Sequence, residues 1–418
     1  MSIFGSFSTA RSGLTAQSAA LSVIGNNIAN VSTVGFKGSR TEFADLLSAE
    51  QGGQVGKIGL GTRVGAIRTL FGQGSIEATG RGLDIAIEGE GFFVLRQDQG
   101  LAYTRAGNFQ LQADGTVTNL IGDALQGTPV DATGNPVGQR GDIILSGALT
   151  SNPNPTTTLS LGGNLDANAA TGTFDGTSFT TAYATSTFQA SVQVFDALGA
   201  SHNVTGFFTK TGPTTWSVNL AVDGADVQGG TAGQITSVGS GTITFDPTNG
   251  TVSGGATQTA TFAAWTSGAA GSSVTVDLSQ FTQHAAPSAL ATITQDGYGK
   301  GGLLGLTVDG KGILTGTFDN GQTRALYQLA IGSFENPEGL TPTGNQIYRE
   351  SISSGPVVLG VAEAAGNGSI VGGALENSNV DLAQQFIDLI STQRAFQANA
   401  KVITTSDQAL TDLLNVVR

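Results

Sequence analysis

Cysteine is absent from the 418 residues, which excludes disulfides, thiolate metal sites and cysteine nucleophiles. Charge is scarce. Asp, Glu, Lys and Arg make up 12% of the chain, about half the usual share, so Ser, Thr, Asn, Gln and Gly have to cover the surface. Basic residues are the scarcer sign, leaving a net charge of −13, which argues against nucleic acid as a partner because phosphates attract Lys and Arg. No apolar run approaches the roughly 18 residues of a membrane span. The N-terminal stretch "MSIFGSFSTARSGLTAQSAALS" has no charged segment ahead of an apolar core and does not read as a secretory signal. The protein is expected to be cytosolic or to leave the cell by a route that reads no cleaved signal.

Catalytic signatures are missing as well. The two histidines, His202 and His284, lie far apart in Ser/Thr/Ala surroundings, and both read as surface or loop residues. "GYGKGG" (297–302) matches a dinucleotide fingerprint in letters but lacks its strand-to-helix context. Glu88 and Glu90 in "EGEGF" read as neighbours on one strand face, whereas a glycosidase needs carboxylates across a cleft. No Ser-His-Asp pattern, phosphate loop or basic patch appears. The expectation is a protein that is not an enzyme, with no catalytic, cofactor or metal residues.

Hydrophobic residues make up 39% of the chain and glycine contributes 62 positions, a balance that favours β-structure with many turns. The two ends differ from the rest. Phe7, Leu14, Leu21 and Ile28 recur every seven residues, and Ala10, Gln17, Ile24 and Val31 follow three positions behind. That is a heptad seam with one polar lapse. Leu375, Leu382, Leu389, Phe396, Ile403, Leu410 and Val417 repeat the period at the C-terminus. A lone pair of such helices reads as marginal, so lateral neighbours are expected to complete its order and burial. "GNNIANVSTVGFK" (25–37) closes the first helix: Gly25 and the Asn pair weaken it, Asn30 begins the exit, and Gly35 and Gly38 serve as turn points.

Between the ends the β signals are nested. "LDIAIEGEGFFVL" (83–95) and "YTRAGNFQLQADGTVTN" (103–119) are short strand patterns with an Asp114-Gly115 hairpin turn. A later block has the same texture, with turns at Asp309-Gly310 and Asn320-Gly321. If the terminal helices pair, these flanking blocks should pair too, which makes the middle an insertion. Between residues 151 and 280 the only Lys or Arg is Lys210, and Glu is absent. "WSVNLAVDG" (216–224) alternates Trp216, Val218, Leu220 and Val222 before a turn, and Asn249-Gly250 offers another hairpin. The fold class is therefore α+β and mainly β. Helices at both ends are expected to pair as a coiled coil, with nested all-β domains between them.

The quoted loop at 25–37 and the C-terminal stretch "ALENSNVDLAQQFIDLISTQRAFQANAKVITTSDQALTDLLNVVR" (374–418) resemble the two ends of the bacterial flagellar rod and hook protein family. "GRGLDIAIEGEGFFVL" (80–95), "YTRAGNF" (103–109) and "VDGKGILTGTFDNGQTRALYQLAIGSFENPEGL" (308–340) resemble its first β domain. The insertion, with "VQVFDALGASHNVTGFF" (192–208) near its start, is similar to the outer domain of the hook members, which the shorter rod members lack. The resemblance implies a structural subunit of the flagellar hook, a flexible tube acting as a universal joint that transmits torque from rod to filament. It implies a helical inner domain (1–30 with 380–418), a connecting region (31–72 with 355–379), an inner β domain (73–145 with 286–354) and an outer β domain (146–285). Phe7, Leu14, Leu21, Ile24, Ile28, Leu382, Leu389, Phe396, Ile403, Leu410 and Val417 are the expected polymer interface, and Asn26, Asn27, Asn30, Gly35, Phe36 and Lys37 the connecting-loop motif. Implied partners are further copies of the chain, the distal rod protein, the hook cap protein, the hook–filament junction protein and the flagellar type III export apparatus, with an extracellular location. Family members that crosslink through a cysteine-derived bond cannot be the template here. The alternatives are a distal rod protein, against which the insertion speaks, and a secreted Thr/Gly-rich β adhesin, against which the heptad ends speak.

Overall fold

Residues 3–29 contain no proline and are rich in Ala and Ser, and they form one helix, α1 (Ile3–Ala29). A computed structural model describes residues 3–47, 59–146 and 149–416. It divides into two compact units, one of Met1–Ala148, Gly305–Thr317 and Thr323–Arg418, the other of Leu149–Leu304 and Phe318–Gln322. The second contains a short helix, α2 (Phe179–Thr185), capped by Ser178. The first ends in α3 (Leu382–Val416), started by the Asp381 carboxylate, which accepts the Ala383 amide at 2.8 Å as an N-cap does.

In the first unit, an antiparallel hairpin follows α1, with strands β1 (Ser39–Leu47) and β2 (Gly59–Thr69) in register from Ser39 opposite Thr69. Beyond it, the two flanking β blocks pair across the insertion. Thr323–Leu329 lies beside Ala124–Pro129, Ile331 opposite Phe93, and Ile347 opposite Thr104. Ser369–Gly372 joins Ile85–Glu88, and Ala374–Glu376 joins Ile76–Ala78. The hairpin turns at Gly115 and Gly312 take positive φ, as does Gly321 in the second unit. Ile85, Phe93, Leu95, Leu314 and Ile331 share one buried core, so neither block can bury its apolar face without the other. Glu88 ends a strand and Glu90 lies in the turn that follows, so the two carboxylates do not share a strand.

The second unit stacks a five-stranded antiparallel sheet against a four-stranded one. Trp216, Val218, Leu220 and Val222 alternate inward from Thr215–Asp223 and meet Leu161, Val276 and Phe281 of the facing sheet in one core. His202 corrects the sequence expectation. It is buried in Ser201–Lys210, stacked on Trp265 at 3.8 Å between ring centroids, with Nε2 3.1 Å from the Asp196 carboxylate. An imidazole presents a flat apolar face as well as polar nitrogens, and the aromatic core uses the former. His284 is exposed at a strand end.

The strands entering and leaving this unit are clasped by one side chain. Asp296 accepts the Thr157 amide at 2.8 Å and the Thr158 amide at 2.9 Å, together with the Thr157 hydroxyl. Partial burial pushes the carboxyl pKa up, but these donors outweigh burial and bring it from 3.8 to about 2. A depressed carboxyl pKa stabilises the clasp above the unfolded value, and this stabilisation is lost as pH falls from 3.8 to about 2. Protection of the Thr157 and Thr158 amides against exchange should therefore fall in that window, bringing their exchange toward the intrinsic rate. In Asp296→Asn the step should be absent, and an unchanged profile would remove Asp296 as its cause.

Candidate assembly site

α1 and α3 pack against each other in an antiparallel register fixed by two contacts. The Asn27 amide donates to Gln385 Oε1 at 3.0 Å. Two heptads earlier on α1, a Cβ on Gly13 would sit 2.8 Å from the amide nitrogen of Asn399, two heptads later on α3. Midway, Ala20 and Thr392 face the same groove. The seven-residue period holds, but its phase differs from the apolar lines of the sequence. Small or polar side chains (Gly13, Ala20 and Asn27 against Gln385, Thr392 and Asn399) occupy the close contact. Ala10, Ala16, Ala20 and Ile24 are buried.

The large apolar residues take other places. Leu14, Leu21, Ile28, Leu389, Phe396, Ile403 and Leu410 are half-buried along the flanks of this contact. Phe7 and Leu382 are each 40% exposed, and Val417 lies outside the described residues. Gly13→Leu should push the helices apart, because even a Cβ would lie 2.8 Å from the Asn399 side chain and a branched residue needs more room than Asn399 can yield by turning aside. The expected cost is about 1–3 kcal/mol, read as accelerated amide exchange in residues 5–25. Gly25→Leu, at a position with open space around it, should lack this effect.

The connecting-loop motif gathers at the base of the helices. The Asn30 side chain donates back to the Asn26 carbonyl at 2.9 Å and ends the helix. Asn26 itself is exposed. Asn27 binds both backbone groups of Ser39, donating to its carbonyl at 2.8 Å and accepting its amide at 2.9 Å, and so ties α1, β1 and α3 together. Gly35 has φ +68°, and a Cβ there would lie 2.5 Å from the Ala106 amide, so only glycine fits. Phe36 is half-buried.

Lys37 is fully enclosed. Its ammonium donates to Glu376 Oε1 at 2.7 Å and to the Gly72 carbonyl at 2.8 Å. Glu376, also fully enclosed, accepts the Gly74 amide at 2.9 Å and has Arg105 Nη1 3.5 Å from its second oxygen. Arg105 donates to the Gly89 carbonyl at 2.7 Å and lies over the Phe92 ring, 5.3 Å from its centroid. Burial lowers the pKa of Lys37 and of Arg105, and Glu376 opposes both shifts. Two cations and one anion, drawn from three distant segments, thus meet out of water. The sequence motif included Lys37 but missed Arg105 and Glu376. Their signal was a lone charge within apolar strand patterns of a chain poor in charge.

Among the described residues no group of His, Asp and Glu is arranged to hold a metal, and no helix is long and apolar enough to cross a membrane. Family models of flagellar rod and hook proteins match the chain in the order of its first helix, its nested β units and its last helix. Residues 7–37 match the flagella basal body rod protein model, 86–151 the flagellar hook protein FlgE/F/G D1 domain, 164–298 the flagellar basal body protein FlaE D2 domain, and 371–416 the flagellar basal body rod FlgEFG protein C-terminal model. Over 422 residues the chain is 36% identical to the flagellar hook protein FlgE of Escherichia coli strain K12, covering 98% of this chain and 99% of the relative. It is 33% identical over 452 residues to the FlgE of Borreliella burgdorferi, covering 97% and 98%. The chain belongs to the flagellar hook protein FlgE family. A crystal structure of Helicobacter pylori flagellar hook protein FlgE2 aligns at 14% identity and a TM-score of 0.45, over 72% of this chain and 100% of that one.

Proposed function

We propose that this chain is the structural subunit of the flagellar hook, polymerising into the flexible extracellular tube that passes torque from rod to filament. The observation that carries the reading is the full-length likeness to hook proteins, including the central unit matched over 164–298, the part a shorter rod protein would lack. The terminal helices supply the inner layer as coiled coils between copies, with the half-buried leucines, Phe396 and Ile403 as contacts. Residues 31–72 and 355–379 connect that layer to an inner β domain (73–145 with 286–354) and an outer one (146–285). Copies leave through the flagellar type III export apparatus without a cleaved signal, assemble under the cap protein on the distal rod protein, and are followed by the junction protein. Electron cryotomography of cells lacking the chain should find complete rods without hook or filament. Truncated rods would move the chain to the rod class, and intact flagella would overturn the reading.

A further inference from the structure

The packing of the single chain leaves the first three turns of α3 apolar on one side and grooved on the other. Leu382, Phe386, Ile387 and Ile390 are 40%, 50%, 61% and 50% exposed. Beside the same turns lies a groove of about 440 Å³ whose apolar lining comes from Ala20, Val23, Ile24, Phe43 and Leu70. α3 turns Asp381, Gln384, Gln385, Asp388, Ser391 and Thr392 into that groove. At about 100° per residue, those directions centre roughly 180° from the four exposed apolar side chains. Knob and groove therefore sit at one level on opposite sides of one helix. Charge follows the same division. Asp381, Asp388 and Arg40 edge the groove, Arg40 being paired with Glu42 at 3.2 Å, while Arg394, one turn beyond Ile390, is exposed on the apolar side.

We propose that α3 of one copy seats its apolar side in the groove of the next copy, with Phe386 entering beside Val23 and Phe43 and Arg394 facing the acidic edge. The occupant is a second copy of this chain because the knob, the groove and the matching charges are all present on every copy. The contact is heterologous, with different surfaces meeting, and repeats around an axis as a tubular wall requires. It also explains the polar phase of the α1–α3 contact: the large apolar side chains are held out for the neighbour. The inference rests on the hook-subunit reading above and names the residues of one contact within it.

The absence of cysteine provides a clean test. Hooks isolated from cells carrying Val23→Cys with Phe386→Cys should, on mild oxidation, give a ladder of covalent multimers that neither single variant gives. Tubes of the double variant without a ladder overturn this contact and leave the hook reading standing. If the unaltered protein forms no tube, the hook reading falls and the contact with it. A second measurement is independent of cysteine placement. Phe386→Asp and Val23→Asp should each slow assembly of purified protein by roughly thirty-fold or more, as loss of a buried anchor does. Mixed together they should form dimers and stop, because only one intact knob–groove pair is available. Assembly of either variant at the unaltered rate overturns the proposal.

Discussion

Glu376→Gln is expected to destabilise the first unit by about 3–5 kcal/mol, the usual cost of leaving a buried charge without its partner. The substitution keeps the shape and leaves the amide oxygen able to accept the Gly74 donor. It removes the anion hydrogen-bonded to the enclosed Lys37 ammonium, and Arg105 loses the same counter-charge. Denaturant unfolding followed by far-UV circular dichroism reads the loss, and a change below about 1 kcal/mol would place the cluster among interactions of surface strength. The pH dependence adds a second signature. Burial holds the Lys37 pKa below its usual 10.5, and without Glu376 it should fall further. A lysine whose folded pKa is depressed binds fewer protons folded than unfolded, so stability rises with pH between the folded value and 10.5. The deficit of Glu376→Gln should therefore shrink as pH rises from the variant's folded Lys37 value to that of the unaltered protein, above which both gain stability alike. Adding Lys37→Met should recover part of the loss, because it removes one of the two stranded charges.

Trp216→Ala should cost the second unit about 3–5 kcal/mol by the different route of an unfilled cavity. Trp216 is wholly buried in the core shared by both sheets, and its indole N–H reaches Gln283 Oε1 at 3.3 Å. Truncation removes the ring from the interior and leaves Gln283 short of a donor. The chain has two tryptophans, and the other, Trp265, lies in the same core. Its fluorescence in the variant thus reports the second unit alone, and an unfolding midpoint equal to that of the unaltered protein would contradict the assignment of Trp216 to the core. Trp216→Phe, which keeps most of the volume, should retain most of the stability.

Much of this architecture was legible from periodicity. The 216–222 alternation marked an inward face because side chains on a strand alternate sides, and the Gly-containing turns marked hairpins because few other residues adopt their backbone angles. The nesting of β blocks around an insertion followed from the similar texture of residues 75–120 and 293–350, and the strands do pair. The seven-residue repeat announced both terminal helices. It did not reveal which line of the repeat would face the partner helix. Hydrophobicity counts the largest side chains, while close approach of two backbones selects the smallest, so Gly13 and Ala20 passed unnoticed beside Leu14 and Leu21, and Asn27 was read only as part of the connecting loop. His202 was misplaced for a related reason, since its neighbours in sequence are not its neighbours in the core.

By itself, the sequence determined that this protein is a cysteine-free, charge-poor β chain closed by two heptad helices, because composition and local period are properties of short segments. Only the tertiary structure decided that Lys37, Arg105 and Glu376 meet in one enclosed cluster and that the helices touch through their small side chains. It also decided that the apolar side of α3 remains uncovered in the single chain. Those outcomes depend on the pairing of residues far apart in the chain, Lys37 and Arg105 with Glu376 and Asn27 with Gln385. No local pattern encodes that pairing, and it is set by which combination of segments can bury its apolar area while leaving its charges compensated.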